Sequence, residues 1–392
     1  MTAITALTLM TYIAMEVTYD TQVEYVINAE HLNRIKAYYA ARSGLDISLL
    51  RIKIYQTLQQ SLGKNLPNNG MVEQIWQFPL MWPLQLPDGL NEVDKDQIKD
   101  KTKESLLDSS FSTVISDEGS KIDLNNLVSP SESLREITKK QILTIFENKV
   151  KSDENFSKAH SGYRFETLVN NIADWMSSKN ESYNGGDKRS AYRNSGGEDY
   201  PPNRGFRTLQ EVRLVAGMND EFFRLLEPQI TIYGMRGINP NTASAEVIKS
   251  IDPTITKEIA DEVIKRRADM QLGGPFKDAN TFFEFLEQKG ARLSINRDEF
   301  PIVTDSFSSF KIQSIGNFGS SKKEIEVITL DLAKVAERAG SIQSKVDEKN
   351  NPQPKPTPTP GASSTSTSQN QTSSNKASIP KGSPRIVYWS EK

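Results

Sequence analysis

The chain of 392 residues has room for two or three domains, and its 48 basic against 50 acidic residues leave a formal net charge of −2. No global field therefore favours adhesion to nucleic acid or anionic lipid. Charged residues at 25% and hydrophobic ones at 36% describe a soluble, globular bulk and exclude a polytopic membrane protein. With no cysteine there are no disulfides, zinc–thiolate sites, iron–sulfur clusters or cysteine nucleophiles. The two histidines, His31 and His160, belong to no G-x-S-x-G or H-E-x-x-H motif, and no phosphate-binding G-x-x-x-x-G-K-[ST] occurs. An enzyme, and a hydrolase in particular, has no catalytic constellation to work with here.

Between Met1 and Leu62 there is no proline and a single glycine, Gly44; the first strong breakers are Gly63, Pro67 and Gly70. The spacing predicts one continuous helix over 1–62, about 90 Å long. Met1 to Met15 carries no charged side chain, the first being Glu16. That is short of the roughly 20 residues that cross a bilayer, so the segment reads as half of a transmembrane helix. The basic residues and small-residue cleavage site of a secretory signal are not present around it. Ile35, Tyr38, Leu45, Leu49 and Ile52, continued by Leu58 and Leu62, fall at helical spacings and form an amphipathic stem.

Residues 111–128 read as two short strands around a turn at Asp117–Glu118–Gly119. Asn125 and Asn126 then open a helical block, with apolar positions from Leu134 to Trp175 and from Leu209 to Leu226, closed by Pro228. From Asp174 to Phe206 runs a glycine-rich polar loop. Hard cations want several oxygen ligands from a flexible loop, which makes Asp174, Glu181 and Asp187 candidate ligands for calcium. The spacing is not that of an EF-hand, Lys179, Lys188, Arg189 and Arg193 oppose a cation, and a solvated acidic surface is the competing reading.

Residues 238–290 have the layout of a helix-hairpin-helix repeat. Asn241 or Thr242 is expected to cap a first helix with Val247, Ile248 and Ile251 on its core side; a second helix carries Ile259, Ala260, Val263 and Ile264 and ends at Arg266 and Arg267. Gly274–Pro275–Phe276 turns into a third. DNA-binding hairpins of this kind place glycines against phosphate, but here the hairpin is Asp252–Pro253–Thr254–Ile255–Thr256, without glycine. Lys265, Arg266 and Arg267 read as a solvated helix end that complements the dipole, and the module as scaffold. A membrane-tethered nucleic-acid-binding protein is the alternative this layout keeps open.

Residues 300–332 read as a β-hairpin turning at Gly319–Ser320–Ser321. From Gly340 to Gly382 the chain holds no aromatic residue and is rich in Pro, Ser, Thr, Gln and Asn, so it is expected to act as a disordered tether. Arg385–Ile386–Val387–Tyr388–Trp389 after it is a strand former, suited to a sheet edge of this chain or of a partner.

An apolar N-terminal helix running into an amphipathic stem and a β-containing head is the layout of type IV pilins. The ordered set KAYYAARSGLDISLL, ISDEGSKIDLNNL, ADW before a glycine-acid loop, YPPNRGFRTLQEVRLVAGM and INPNTASAEVI resembles the K-type minor pseudopilins of bacterial type II secretion, over most of residues 1–335. The resemblance implies an α+β, type IV pilin-like fold, a long N-terminal helix on an antiparallel sheet, with a large inserted all-α domain that contains a helix-hairpin-helix/SAM-like module. The expected parts are an N-terminal helix 1–62, a pilin-like α/β part 63–128, an inserted helical domain 129–236, the hairpin module 237–299, C-terminal strands 300–339, the linker 340–382 and a terminal strand 383–392. It implies a non-enzymatic role at the tip of the periplasmic pseudopilus. Expected partners are the I- and J-type minor pseudopilins, the major pseudopilin filament and the inner membrane, crossed once, with the head in the periplasm and no nucleic acid. The sequence is expected to start inside the natural transmembrane helix, without the family's leader peptide. Ser177, Ser178 and Lys179 stand where the family carries further acids, which sets a family-type calcium site in question.

Overall fold

Free of proline and of any other breaker than Gly44, the N-terminal segment forms one helix, α1, Thr2–Leu62, of 61 residues. The computed structural model describes residues 1–62, 75–84, 96, 100, 102, 104, 105, 107–195, 200–234, 237–297, 299–304, 309–350 and 385–392. They divide into two compact units, one of Met1–Ser116, Phe310–Thr329 and Ile386–Lys392, the other of Asp117–Ser309 and Leu330–Arg385.

The first unit sets α1 on a five-stranded sheet. Its strands are β1 (Leu80–Trp82), β2 (Ser110–Asp117), β5 (Ser309–Phe318), β6 (Ser321–Leu330) and β7 (Arg385–Glu391), in the order β1-β2-β5-β6-β7. β1 runs antiparallel to β2, Leu80 opposite Thr113 and Trp82 opposite Phe111. β5 and β6 form the expected hairpin, with Gly319 taking the positive φ of +56° that its turn requires. β7 closes the edge of β6, where Glu324 and Lys392 exchange both backbone hydrogen bonds at 3.1 and 2.9 Å, the mark of antiparallel pairing.

The side chains between helix and sheet are graded in size. On β5 the inward positions are Phe310, Ile312, Ser314 and Gly316, all buried. On α1 the buried positions are Ala37, Ala40, Ala41, Gly44, Leu45, Ser48, Ile52, Tyr55 and Gln56. At one end Tyr55, Trp76 and Phe310 pack edge-on, with ring centroids 5.1 to 6.3 Å apart. At the other, a Cβ on Gly316 would lie 2.1 Å from the Ala37 carbonyl oxygen and 2.4 Å from the Ala41 nitrogen, and one on Gly44 would meet Ser314 and Thr113 at 2.6 Å. The helix backbone therefore rests directly on the strand at Gly316 and is propped away from it by rings at Phe310. The Ser314 hydroxyl donates to the Ala41 carbonyl at 2.6 Å across the narrow end. Ile35, expected in the stem's apolar stripe from its spacing, points outward instead and is 53% exposed, because the contact line follows small residues rather than large ones.

The second unit is mainly helical. Its helices are α2 (Glu132–Ser152), α3 (Glu154–Ala159), α4 (Phe165–Met176), α5 (Asp220–Leu226), α6 (Ala245–Ile251), α7 (Lys257–Ala268), α8 (Ala279–Gln288) and α9 (Leu332–Asn350). The two strands expected over 111–128 do not pair with each other. The first is β2; the second, β3 (Ile122–Asp123), pairs in parallel with β4 (Ile230–Thr231), because the short helical turn Glu118–Ser120 between them redirects the chain. One apolar core unites this unit, from Ile122 and Leu124 through Phe146, Trp175 and Phe222 to Val247, Val263 and Phe282. The linker expected over 340–382 is corrected at its start: residues 340–350 continue α9. Their Gln, Lys and Glu residues favour a helix, which stops short of Pro352; the remainder of that linker lies outside the described residues, as do 63–74 and 85–95 of the expected pilin-like part.

The close approach at Gly316 gives a direct expectation. Gly316→Ala forces α1 off β5 and lowers the unfolding free energy of the first unit by at least about 2 kcal/mol. Gly340→Ala, where a Cβ meets nothing within 4 Å, holds or raises stability by up to about 1 kcal/mol. Urea denaturation followed by Trp fluorescence compares the two; equal stabilities would mean that the helix does not rest on the strand at Gly316.

Candidate functional site

Three places carry the residues that the sequence singles out: the free half of α1, the hairpin between α6 and α7, and the loop after α4. Residues 1–28 of α1 are all exposed, and the helix first becomes partly covered at Ala29. Ile4, Leu7, Met10, Ile13, Val17 and Tyr25 face outward in that stretch. Four of its threonine hydroxyls bond back onto the helix: Thr5 donates to Thr2 O, Thr11 to Leu7 O, Thr18 to Ala14 O and Thr21 to Val17 O, all at 2.7 to 2.8 Å. Such back-bonding lowers the cost of taking these threonines into an apolar environment. Among the described residues no helix is long and apolar enough to cross a membrane by itself. This stretch is an exposed rod, uncharged as far as Met15 and carrying Glu16, Asp20 and Glu24 beyond it, and it offers a surface for other helices or for lipid.

The hairpin is built to hold itself. Asp252 is fully buried, and its carboxylate accepts from the Thr254 N–H and hydroxyl at 2.9 and 2.7 Å and from the Ser294 N–H and hydroxyl at 2.9 and 2.8 Å. The hairpin amide that a phosphate would have sought is thus already used by a fixed negative charge. The basic cluster is absorbed as well. Arg267 donates to the Pro240 and Ala243 carbonyls at 2.8 and 2.7 Å, and burial pulls its pKa down to about 10. Arg266 lies over the Phe276 and Phe285 rings, 4.3 and 4.7 Å from their centroids, and Lys265 pairs with Glu262. The cap of α6 is Ser244, whose hydroxyl accepts from Val247 N. Of the two residues expected there, Thr242 bonds to Asp117 and Asn241 ties the hairpin module together by donating to the Phe276 carbonyl at 2.9 Å and accepting from Phe276 N at 2.7 Å.

In the loop, the three candidate calcium ligands serve separate tasks. Asp174, in the last turn of α4 and 1% exposed, accepts from the Ser182 hydroxyl at 2.5 Å and Tyr183 N at 3.0 Å. Asp187 is exposed and caps Arg189 N at 2.9 Å, while Glu181 and Asp187 share an isolated antiparallel bridge through their backbones. Among the described residues no three acidic or histidine side chains converge on one point. The group that does enter the site is Lys188, whose ammonium donates to the Ser177 carbonyl at 2.8 Å and the Asp174 carbonyl at 3.2 Å. Burial lowers its pKa, and the Asp174 charge offsets part of that. Trp175, next in the chain, stacks on Phe206 at 5.5 Å and leans on Tyr200. Two carbonyl oxygens at the end of α4, Asp174 O and Ser177 O, therefore already accept from an ammonium. Of the two histidines, His160 shares a 2.9 Å contact with Glu221 beside the Phe222 ring and His31 is exposed on α1.

The segments quoted from the sequence meet one another in space. Asp117, from ISDEG, accepts from Asn239 Nδ2 at 2.9 Å and the Thr242 hydroxyl at 2.7 Å, both from INPNTAS. Asn125, from DLNNL, donates to Ile232 O at 2.8 Å. Two family models described as type II secretion system, protein K, match this body, one over residues 120–235 and one over 238–300. Residues 120–300 thus carry both domains of the type II secretion system protein K family. The comparison with curated proteins gives no match. Among solved structures, a chain of the GspK-GspI-GspJ complex from the type 2 secretion system of enterotoxigenic Escherichia coli is similar, with a TM-score of 0.52 at 15% identity, over 81% of this chain and 95% of that one. The likeness is one of fold, and it extends beyond the family-model matches to the α1 and sheet unit. In this protein K body the shared segments are internal braces.

Asp252 makes the brace testable. Burial works to raise its pKa, but the hydrogen bonds from Thr254 and Ser294 outweigh that and hold it below the ordinary carboxylate value. Its contribution is therefore full above the unfolded value of about 3.9 and is lost as pH falls through the lower folded value. Asp252→Asn is expected to cost about 1–3 kcal/mol at pH 7 and to flatten the loss of stability below about pH 4, read by urea denaturation at both pH values. A variant as stable as the wild type at neutral pH would show that the carboxylate is not the brace.

Proposed function

We propose that this chain is a structural, non-enzymatic minor pseudopilin seated at the tip of the type II secretion pseudopilus. There it nucleates or caps assembly, with I- and J-type minor pseudopilins and the major pseudopilin filament as partners. The carrying observation is the exposed apolar half of α1, continuous with a stem that the sheet grips through Ala37, Ala41 and Gly44. A rod of this kind has two environments open to it, lipid and a bundle of similar helices. In the first it anchors the chain in the bacterial inner membrane, passing through once and leaving the head in the periplasm. In the second the same surface packs on neighbours without crossing water. Each is favoured by roughly 25 cal/mol for every Å² of apolar area kept dry, so transfer from one to the other is near balance and a modest directional input suffices. The similar chain's presence in a complex named for GspK, GspI and GspJ supports I- and J-type partners here.

The test is assembly. The head from about Ala29 onward, mixed with the I- and J-type proteins of the same organism, is expected to give one discrete heterotrimer by light scattering after size exclusion. A head that remains monomeric beside a stable I–J pair would contradict the tip role. Salt-dependent retention of a DNA duplex by the same head would favour the nucleic-acid alternative, against which Asp252 and the engaged Arg266 and Arg267 stand.

A further inference from the structure

The loop after α4 holds a cation of its own. Lys188 opens the short helical turn Lys188–Ser195 and is 3% exposed, although lysine is among the residues least often buried. Its ammonium lies against the C-terminal end of α4, where Asp174 O and Ser177 O carry the negative end of the helix dipole, and it donates to both, at 3.2 and 2.8 Å. On the other side of the same aspartate, the Asp174 carboxylate gathers the Ser182 hydroxyl and Tyr183 N. Between these two anchors the chain closes a tight loop in which Ser182 N donates to Gly186 O and Gly185 N to Ser182 O, with Gly185 and Gly186 at φ of +88° and +76°. One residue, Asp174, thus ties the loop through its side chain at Ser182 and Tyr183 and through its backbone at Lys188.

We propose that the Lys188 ammonium is a built-in substitute for a bound divalent cation: it collects the carbonyl oxygens at the end of α4 and fastens the returning loop, so that this head folds and assembles without calcium. A metal ion and an ammonium cannot share the same two carbonyls, since each would meet the other's charge at contact distance with the oxygens already used. The three candidate ligands fit this arrangement, because the carboxylates of Asp174 and Asp187 accept from O–H and N–H donors and Glu181 is exposed. The tip position concerns α1 and partner proteins, and the lysine fastening holds or fails independently of it.

Two measurements on the full chain, purified in detergent, decide between lysine and metal. In the wild type, thermal melts in saturating calcium and in EDTA are expected to coincide, and equilibrium dialysis to recover no tightly bound calcium. In Lys188→Met, which keeps the length of the side chain and removes its charge, chymotryptic cleavage after the exposed Tyr183 is expected to run at least about tenfold faster than in the wild type, while the melt stays indifferent to EDTA. A wild-type melt raised by calcium, or calcium retained through dialysis, would overturn the proposal regardless of how the variant behaves. So would a Lys188→Met loop cleaved no faster than the wild type. If that variant does not fold, the wild-type calcium titration alone separates the two cases.

Discussion

The contact between α1 and β5 is the constraint from which the rest of the pilin-like unit follows. A strand and a helix normally keep a side chain's thickness between them, and here that layer shrinks to nothing at Gly316, whose missing Cβ is what admits the Ala37 carbonyl. Small residues at Ala37, Ala41, Gly44 and Ser48 repeat along one line of the helix, and Ser314 and Gly316 answer them from the strand. Large rings at Tyr55, Trp76 and Phe310 fill the wider end. A helix fixed in this way at its middle is held rigidly for several turns, and its upstream half projects without support from its own unit. The exposed surface of residues 1–28, uncharged as far as Met15, lies upstream of that grip.

In the helical unit the same economy appears as buried polar posts. Asp117, Asp174 and Asp252 are each nearly or fully removed from solvent, and each accepts two or more hydrogen bonds that join chain segments. A buried carboxylate without such donors would be expelled or protonated; with them it fixes the path of irregular chain that apolar packing alone would leave loose. This explains why segments that look like functional motifs in one dimension turn out to be joints in three. Chemistry at these positions would compete with the bonds that hold the unit together.

Much of this is legible in the sequence, and the parts that are not have physical reasons. The length of α1 follows from the absence of breakers, the β5–β6 hairpin from alternation around Gly319, and the family resemblance from an ordered set of short segments. The seam escapes a search for large apolar residues, which marks Ile35, pointing outward, and overlooks Ala37, Ala41 and Gly44, whose value lies in what they lack. Small residues at spacings of three and four are the signal that finds it. The pairing of β3 with β4 spans two residues on each side, too short for any pattern to announce. Lys188 looks in one dimension like surface charge opposing a metal; no local pattern shows a lysine folding back eleven residues to the end of the preceding helix. Ser244 takes the cap expected of Asn241 because the Asn241 amide matches both backbone groups of Phe276.

α1 is one helix in two regimes, clamped from Ala37 to Tyr55 and exposed before Ala29. Hydrogen exchange by mass spectrometry on the full chain, in detergent and then in complex with its I- and J-type partners, reads both at once. Amides of 37–56 are predicted to exchange as slowly as those of β5 and β6 in either state, while those of 2–28 change protection when detergent is replaced by partner helices. Fast exchange over 37–56 in the free chain, or protection of 2–28 that is the same in detergent, after detergent removal and in the complex, would contradict the account.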